Sequence, residues 1–376
     1  MLFRSESPAL ADFIRSTATY GAPERQWDHS AYFNNYNRGK ESLTLDPANP
    51  LGRELLLRML PNFDVVVENF KAGRMVALGL GYDVLRAVKP DIVMVSISGY
   101  GQDGPDGSLA GVGTNMEQLS GLCSLNQYSD SPQPYNTGIA YGDPTSGVTG
   151  AAAVAMALLH RDRTGEGQYV EISGHETIIS LYGEQFAARS LGVEPVAKGN
   201  RHADMVPHGC YPCEGEDSWV TIAVRGDAEW RALCDVIGQS ELAAEYPGFE
   251  ARREHELDIE AAIMGWSVSQ EPYAAAAALQ AAGIAAAPVL RPVDQPFDQH
   301  LRLRGYFVTV EHPDQGPWPH DGIAWRLSRT PGAVRAPAPL FGQHTRAVLR
   351  RELALSEEEI DAIYAARAAA DAPFRQ

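Results

Sequence analysis

The sequence predicts an α/β protein with a doubly wound, mostly parallel sheet in a large Rossmann-like domain, and a smaller α+β domain. Three observations carry the prediction. Helix and strand patterns alternate between residues 52 and 98. A further β-rich run at 168–173 feeds a helical stretch, as a parallel strand does in a βα unit. From about Gly199 the texture changes to Gly, Pro, His and Cys, which marks a linker into a second domain. The boundaries expected from this are 1–190 for the first part of the large domain, 191–215 for a linker, 216–300 for the small domain, and 301–376 for a linker and a return to the large domain.

Each element has its own reason. Residues 52–60 carry an apolar stripe at helical spacing, and 63–68 read as a short buried strand. A helix near 82–88 leads into the apolar, β-branched strand 91–98. The segment GDPTSG at 142–147 opens a long helix: Asp143 has N-cap chemistry and Pro144 suits the first helical position. The run 148–159 is apolar on every face, so this helix is expected inside a domain, with His160, Arg161, Asp162 and Arg163 returning it to water. The strand 168–173 and a helix over 176–191 follow. In the small domain, 218–224 reads as a strand, 227–237 as a capped helix, the Ala-rich 270–282 as a helix and 283–290 as the strand after it. A Pro-rich return at 331–339 precedes a terminal helix over 357–370.

The composition excludes several classes. With 44% hydrophobic and 21% charged residues the 376-residue chain reads as an ordinary folded protein of two or three domains. No apolar run approaches the roughly 18 residues of a membrane span, and residues 1–6 lack a signal-peptide core, so a cytoplasmic location without membrane contact is expected. A net charge of -17 argues against non-specific nucleic-acid binding, which needs clustered Lys and Arg. Cys210 and Cys213 have CxxC spacing but no second ligand pair; together with Cys123 and Cys234 they read as buried thiols, and no metal is expected. Gly99, Gly101 and Gly104 match GxGxxG after a strand, yet Pro105, Asp106 and Gly107 open no apolar helix, so the segment reads as a surface loop. No GxxxxGK[ST], GxSxG or HExxH occurs. His202 and His208 flank a turn-rich stretch and read as solvated or locally bonded. For Asp143 the residues alone leave two readings: a helix cap, or a carboxylate fixed for chemistry.

Several segments, in order, carry a resemblance: NRGKESLTLD at 37–46, VENFKAG at 67–73, LGLGY at 78–82, SISGYG at 96–101, LSGL at 119–122, the Asp143 segment, RTGEGQ at 163–168 and DQHLRLRG at 298–305. This succession resembles the family III CoA-transferases, the CaiB/BaiF group, along nearly the whole chain. The resemblance implies an acyl-CoA:carboxylate CoA-transferase, with Asp143 as nucleophile. The carboxylate attacks the thioester carbonyl to give an aspartyl anhydride and CoA thiolate; the thiolate returns to form an aspartyl-CoA thioester, which the acceptor acid attacks. A helix N-terminus would favour the ionised, fixed carboxylate such a step needs. By the same resemblance Leu45, Asp46, Asn69, Phe70 and Lys71 would line the CoA site. Gly199, Asn200, Arg201 and His202 fall where relatives have a glycine-bearing loop that closes over the reacting thioester, and Arg201 could instead pair with a substrate carboxylate. The implied partners are an acyl-CoA, a carboxylic acid and a second copy in an interlocked homodimer. Coenzyme A is a substrate, and no tightly bound cofactor is expected.

Residues 2–6 stand where relatives have their second strand, so the first strand and helix of the family, which help bind CoA, are expected to be missing through a late start or a loss. Ala77 occupies a place where some relatives carry Arg. The α-methylacyl-CoA racemases share the fold, but their general-acid/base His falls at Val112 here. That isomerase reading, and a non-catalytic acyl-CoA-binding homologue, are the alternatives to transfer.

Overall fold

In the computed structural model, which describes residues 2–19, 24–128, 131, 133–194 and 196–374, the N-terminal strand β1 (Phe3–Glu6) runs parallel to β2 (Glu41–Thr44). A second parallel sheet has the order β3 (Val65–Glu68), β4 (Val93–Ser98), β5 (Tyr169–Ser173), with Val65 opposite Val93 and Val95 opposite Val170. These are the strands expected at 63–68, 91–98 and 168–173, and β4 is buried along nearly its whole length, as a strand covered on both faces must be. The helix Pro50–Met59 begins at Asn49, whose side chain accepts from Leu51 N, and the expected helix Tyr82–Val88 lies between β3 and β4.

The chain separates into two units. The first consists of Met1–Met116, Tyr141–Ile178 and Pro296–Gln376, the second of Glu117–Ala140 and Ile179–Gln295. In the first unit, Leu43, Leu45, Leu55 and Met59 share a core with Val348, Leu349, Ile360 and Ile363. The last four come from the helices Thr345–Leu353 and Glu357–Ala365, the second closed by a Ser356–Glu359 capping box. The two ends of the sequence thus fold onto each other in one core.

The second unit holds the antiparallel sheet β6 (His208–Pro212), β7 (Trp219–Ala223), β8 (Ala285–Pro288). It packs on Trp230, Leu233, Ile259, Ile263 and Leu279, all buried. Two details differ from expectation. The helix Asp227–Val236 has Gly226 at its N-cap with no side-chain cap bond, so Asp227 stands in the first turn rather than capping it. The stretch expected as one helix over 176–191 is Gly174–Ile179 and Gly183–Ser190, joined by the tight turn Ser180–Tyr182.

A hairpin in the first unit went unforeseen: β9 (Phe307–His312) and β10 (Gly316–Asp321) pair antiparallel. Pro317 and Pro319 lie within β10, which conceals the strand from propensity and suits a two-stranded ribbon with a free edge. The hairpin buries His312 and His320, at 2% and 3% exposure. Arg38 binds its end through Asp321, and Asn34 reaches its turn at Gln315. No helix among the described residues is long and apolar enough to cross a membrane.

Candidate active site

The helix Gly142–Thr164 delivers Asp143 to the carboxyl end of the parallel sheet. It starts one residue before Asp143, with Tyr141 at the N-cap and no side-chain cap bond, and ends at Gly165, whose φ of 77° closes it in the left-handed region. Asp143 therefore does not cap the helix, as its residue type suggested; it sits in the first turn. Its helix packs against β4 and β5 through Ala157, Val154 and Leu158 on Val93, Val95 and Ile172. A Cβ at Gly150 would stand 2.9 Å from Ile97 Cδ1, so glycine there lets helix and strand approach. The helix start is wedged in the same way: added Cβ atoms at Gly142 and Gly174 would meet Met116 at 2.9 and 2.6 Å. Thr145 and Ser146 reinforce the turn, donating to the Tyr141 and Gly142 carbonyls at 2.9 and 2.5 Å.

The opposite face of this helix is bare. Val148 and Met156 are 73% and 72% exposed and Leu159 is more than half exposed, so the expectation of an all-round buried helix fails for the single chain. An apolar run without polar positions encodes coverage on every side, but not by which molecule.

The electrostatics of Asp143 also depart from expectation. Burial pushes its carboxyl up from the ordinary range, and among the described residues no ion pair or hydrogen bond holds the side chain. The helix N-terminus favours the charged form and desolvation opposes it. Tyr32, on the helix Ala31–Tyr36, is a neighbour that sequence reasoning missed: burial chiefly, then Tyr36 and the Asp143 charge, raise its phenol. The two tyrosine rings lie 4.9 Å apart. The signal was present as a Tyr pair at i and i+4, both exposed.

Around the carboxyl ends of the strands the backbone is tied into a cradle. After β4, the Gly99 carbonyl accepts from His175 N at 2.9 Å, which joins the two strand ends. Gly99 touches Gly111 so closely that a Cβ would stand 2.5 Å from the Gly111 Cα. Glu171 Oε1 accepts from Gln102 N at 2.5 Å. After β3, Asn69 Nδ2 donates to the Ile97 carbonyl at 2.6 Å, and Phe70 N donates to Glu68 Oε2 at 2.7 Å. The loop over 99–104 is irregular and opens no helix, as expected.

Of the five residues expected to meet CoA, Asn69, Phe70 and Lys71 stand together after β3, all exposed. Leu45 is wholly buried in the core that the terminal helices complete. Asp46 is occupied locally, accepting from Ser7 Oγ at 3.0 Å and Ala48 N at 3.1 Å. Ala77 follows three residues after Arg74 on the short helix Arg74–Ala77.

The loop at 199–202 lies in the second unit. Gly199 has φ 59°, and the Asn200 carbonyl is 2.6 Å from His208 Nδ1. His202 Nδ1 accepts from Asp204 N at 3.1 Å, so both histidines are locally bonded, as their turn-rich setting suggested. Arg201 is held by Glu260 and Glu256 at 3.3 and 3.5 Å, which commits the guanidinium that might otherwise bind a substrate carboxylate. Cys123, Cys213 and Cys234 are buried, Cys210 is half-buried, and burial pushes all four thiols up. Among the described residues no group of His, Cys, Asp and Glu could hold a metal ion.

The sequence profile of CoA-transferase family III matches residues 6–345. A Mycobacterium tuberculosis protein named as a probable CoA-transferase is 34% identical over 96% of this chain, which spans only 46% of that relative. The succinyl-CoA–D-citramalate CoA-transferase of Chloroflexus aurantiacus is 30% identical over 92% of this chain and 88% of its own. The crystal structure of a CAIB/BAIF family protein from Brucella suis superposes with a TM-score of 0.85 at 27% identity, over 93% of this chain and 91% of that one.

Proposed function

The chain belongs to CoA-transferase family III, and from that premise we propose that it moves coenzyme A from an acyl-CoA thioester to a free carboxylic acid, with Asp143 as the nucleophile. The observation that carries this reading is the state of the Asp143 carboxyl: in the first turn of a helix, partly desolvated, with no cation or hydrogen bond among the described residues to spend its lone pairs on. A carboxylate so placed keeps its nucleophilicity.

The steps balance as follows. An Asp143 carboxylate oxygen attacks the thioester carbonyl, the C–S bond breaks, and CoA leaves as thiolate from a mixed anhydride. The thiolate attacks the aspartyl carbonyl of that anhydride and expels the first acid as carboxylate, leaving an aspartyl-CoA thioester. The acceptor carboxylate attacks this thioester, forming a second anhydride and freeing the thiolate. Attack of the thiolate on the acceptor's acyl carbon then yields the new acyl-CoA and restores Asp143. No net proton or electron is exchanged, so the chemistry needs no resident cofactor. Asn69, Phe70 and Lys71, together with Leu45 and Asp46, are assigned to the CoA side, and Gly199, Asn200, Arg201 and His202 to the acyl side. The bare apolar face of Val148, Met156 and Leu159 supports an interlocked homodimer, since a second copy would remove that surface from water.

The test is incubation with a panel of acyl-CoA thioesters and free carboxylic acids, read by mass spectrometry of the CoA products. The peptide carrying Asp143 should gain the mass of a CoA thioester when acyl-CoA is present without acceptor. Absence of both new acyl-CoA and the adduct across the panel would refute the reading.

A further inference from the structure

The loop after β3, residues 69–73, is tied to the rest of the first unit at three points. Asn69 Nδ2 donates to the Ile97 carbonyl at 2.6 Å, Phe70 N to Glu68 Oε2 at 2.7 Å, and Gly73 N to Gln102 Oε1 at 3.4 Å. Gln102 is itself held, because its own N–H donates to Glu171 Oε1 at 2.5 Å. A Cβ at Gly101 would stand 3.1 Å from that oxygen, so glycine leaves the carboxylate room to reach the loop after β4. Two of the three ties therefore end on carboxylates.

The two glutamates share one row of the sheet. Glu68 lies opposite Ser96, and Ser96 opposite Glu171, so the three side chains rise from the same face. Glu68 is 8% exposed and has no ion pair among the described residues. A buried carboxylate is costly unless hydrogen-bonded, and the partners of Glu68 are the Phe70 backbone and the Ser96 hydroxyl. What the loop presents outward is the opposite: Phe70 is 46% exposed, and Lys71 beside it is exposed and without an ion pair among the described residues. A bare aromatic ring next to a free ammonium suits a nucleotide, whose base stacks on the ring while phosphate meets the cation.

We propose that Glu68 is a positioning residue for CoA: its carboxylate, with Glu171 acting through Gln102, fixes the loop 69–73 so that Phe70 and Lys71 meet the nucleotide end of CoA already ordered. Neither glutamate touches the ligand. A loop ordered beforehand gives up less backbone freedom on binding and so binds more tightly than a loose loop with the same side chains. The inference rests on the assignment of this loop to the CoA side and adds the groups that hold it in shape.

The experiment is calorimetric titration of the full chain with CoA, and with adenosine 3′,5′-bisphosphate as its nucleotide end alone. Phe70→Ala and Lys71→Ala mark the loop itself and should each weaken both ligands at least fivefold. Glu68→Leu removes the acceptor of Phe70 N and should weaken both at least fivefold, whereas Glu68→Gln keeps an amide oxygen there and should stay within twofold of wild type. That rescue separates the tie from a general loss of stability. Gln102→Ala cuts the Gly73 tie without disturbing a buried charge and should weaken both at least threefold, so the result does not hang on the folding of Glu68→Leu. Wild-type affinity in Glu68→Leu and Gln102→Ala, beside weakened Phe70→Ala and Lys71→Ala, would overturn the positioning role and leave the loop assigned to CoA. Equal losses in Glu68→Gln and Glu68→Leu would overturn it too. Wild-type affinity in all the variants, or no CoA binding by the wild type, would overturn the role and the assignment together.

Discussion

Replacing Asp143 by Asn should separate chemistry from folding, and the structure sets the size of both effects. Three stability terms are in play. A lost N-cap would cost about 1 kcal/mol, but Tyr141 occupies that position and no backbone N–H depends on the Asp143 side chain, so this term vanishes. Losing a negative charge from the first turn costs roughly 0.3–1 kcal/mol in helix-dipole stabilisation. Burial acts in the other direction. A carboxyl whose folded pKa lies above its unfolded value contributes stability at low pH that is lost as pH rises through the carboxylate range, so at neutral pH the ionised group opposes folding and the amide relieves it. The last two terms oppose each other, and the net change in urea unfolding should stay within about 1 kcal/mol of zero with an unchanged slope. Catalysis has no such offset. An amide cannot form the anhydride, and a rate loss of at least about a thousandfold corresponds to about 4 kcal/mol or more in the barrier. Transfer followed by chromatography of the CoA esters, beside a urea melt of the same preparation, measures both. Turnover above about one per cent of wild type in Asp143→Asn would remove the residue from the mechanism, since even the low end of a nucleophile's contribution is larger. A loss of 2 kcal/mol or more in the melt would show that the carboxylate caps the helix after all.

Gly99→Ala should destabilise the first unit by about 1–3 kcal/mol and lower transfer as well, because the new Cβ meets the Gly111 backbone rather than a flexible side chain and must displace the strand end that His175 N holds; wild-type melting would refute it. His312 and His320 should make the chain acid-labile: burial lowers both imidazoles, so the unfolded chain binds more protons and stability falls as pH drops below about 6.5. Asp314, Asp28, His29 and Arg15 face the first imidazole and Arg38, Asp321 and His312 the second, and a His312→Gln/His320→Gln chain should show a flatter acid limb in its melting temperature from pH 7 to 5. Met156→Glu, on the bare face of the long helix, should shift light scattering from dimer to monomer; a wild-type monomer at micromolar concentration would refute the homodimer itself.

The parallel core was legible because its cause is local. Val65, Val66 and Val67, and the run from Val93 to Ser98, are β-branched or apolar over lengths too short for helices, and residues 52–60 carry an apolar stripe at helical spacing, so type and order could be read from spacing alone. The hairpin at 307–321 was illegible because Pro317 and Pro319 erase the strand signal, and the burial of His312 and His320 on it is a tertiary fact. The segment 117–140 joins the second unit although it lies within the span 1–190 expected for the large domain, since which unit a loop packs on is not encoded in its own pattern.

The candidate site divides the same way. That Asp143 begins a helix was readable from Gly142, Pro144 and the apolar run; that it does not cap was not, because a first-turn Asp and an N-cap Asp differ by one residue, within the uncertainty of any helix boundary. The environment of its carboxyl depended on groups far away in sequence, Tyr32 and the wedge of Met116 between Gly142 and Gly174, which no spacing rule brings together. Burial reverses the sign of one expectation. A helix N-terminus was invoked to hold the carboxylate charged and fixed, whereas it is unbonded among the described residues and raised by burial. For a nucleophile the second state is the more useful, because a carboxylate stabilised by caps and cations is a weaker attacking group, and one that sits in a partly dry first turn keeps the lone pair that the thioester carbonyl must meet.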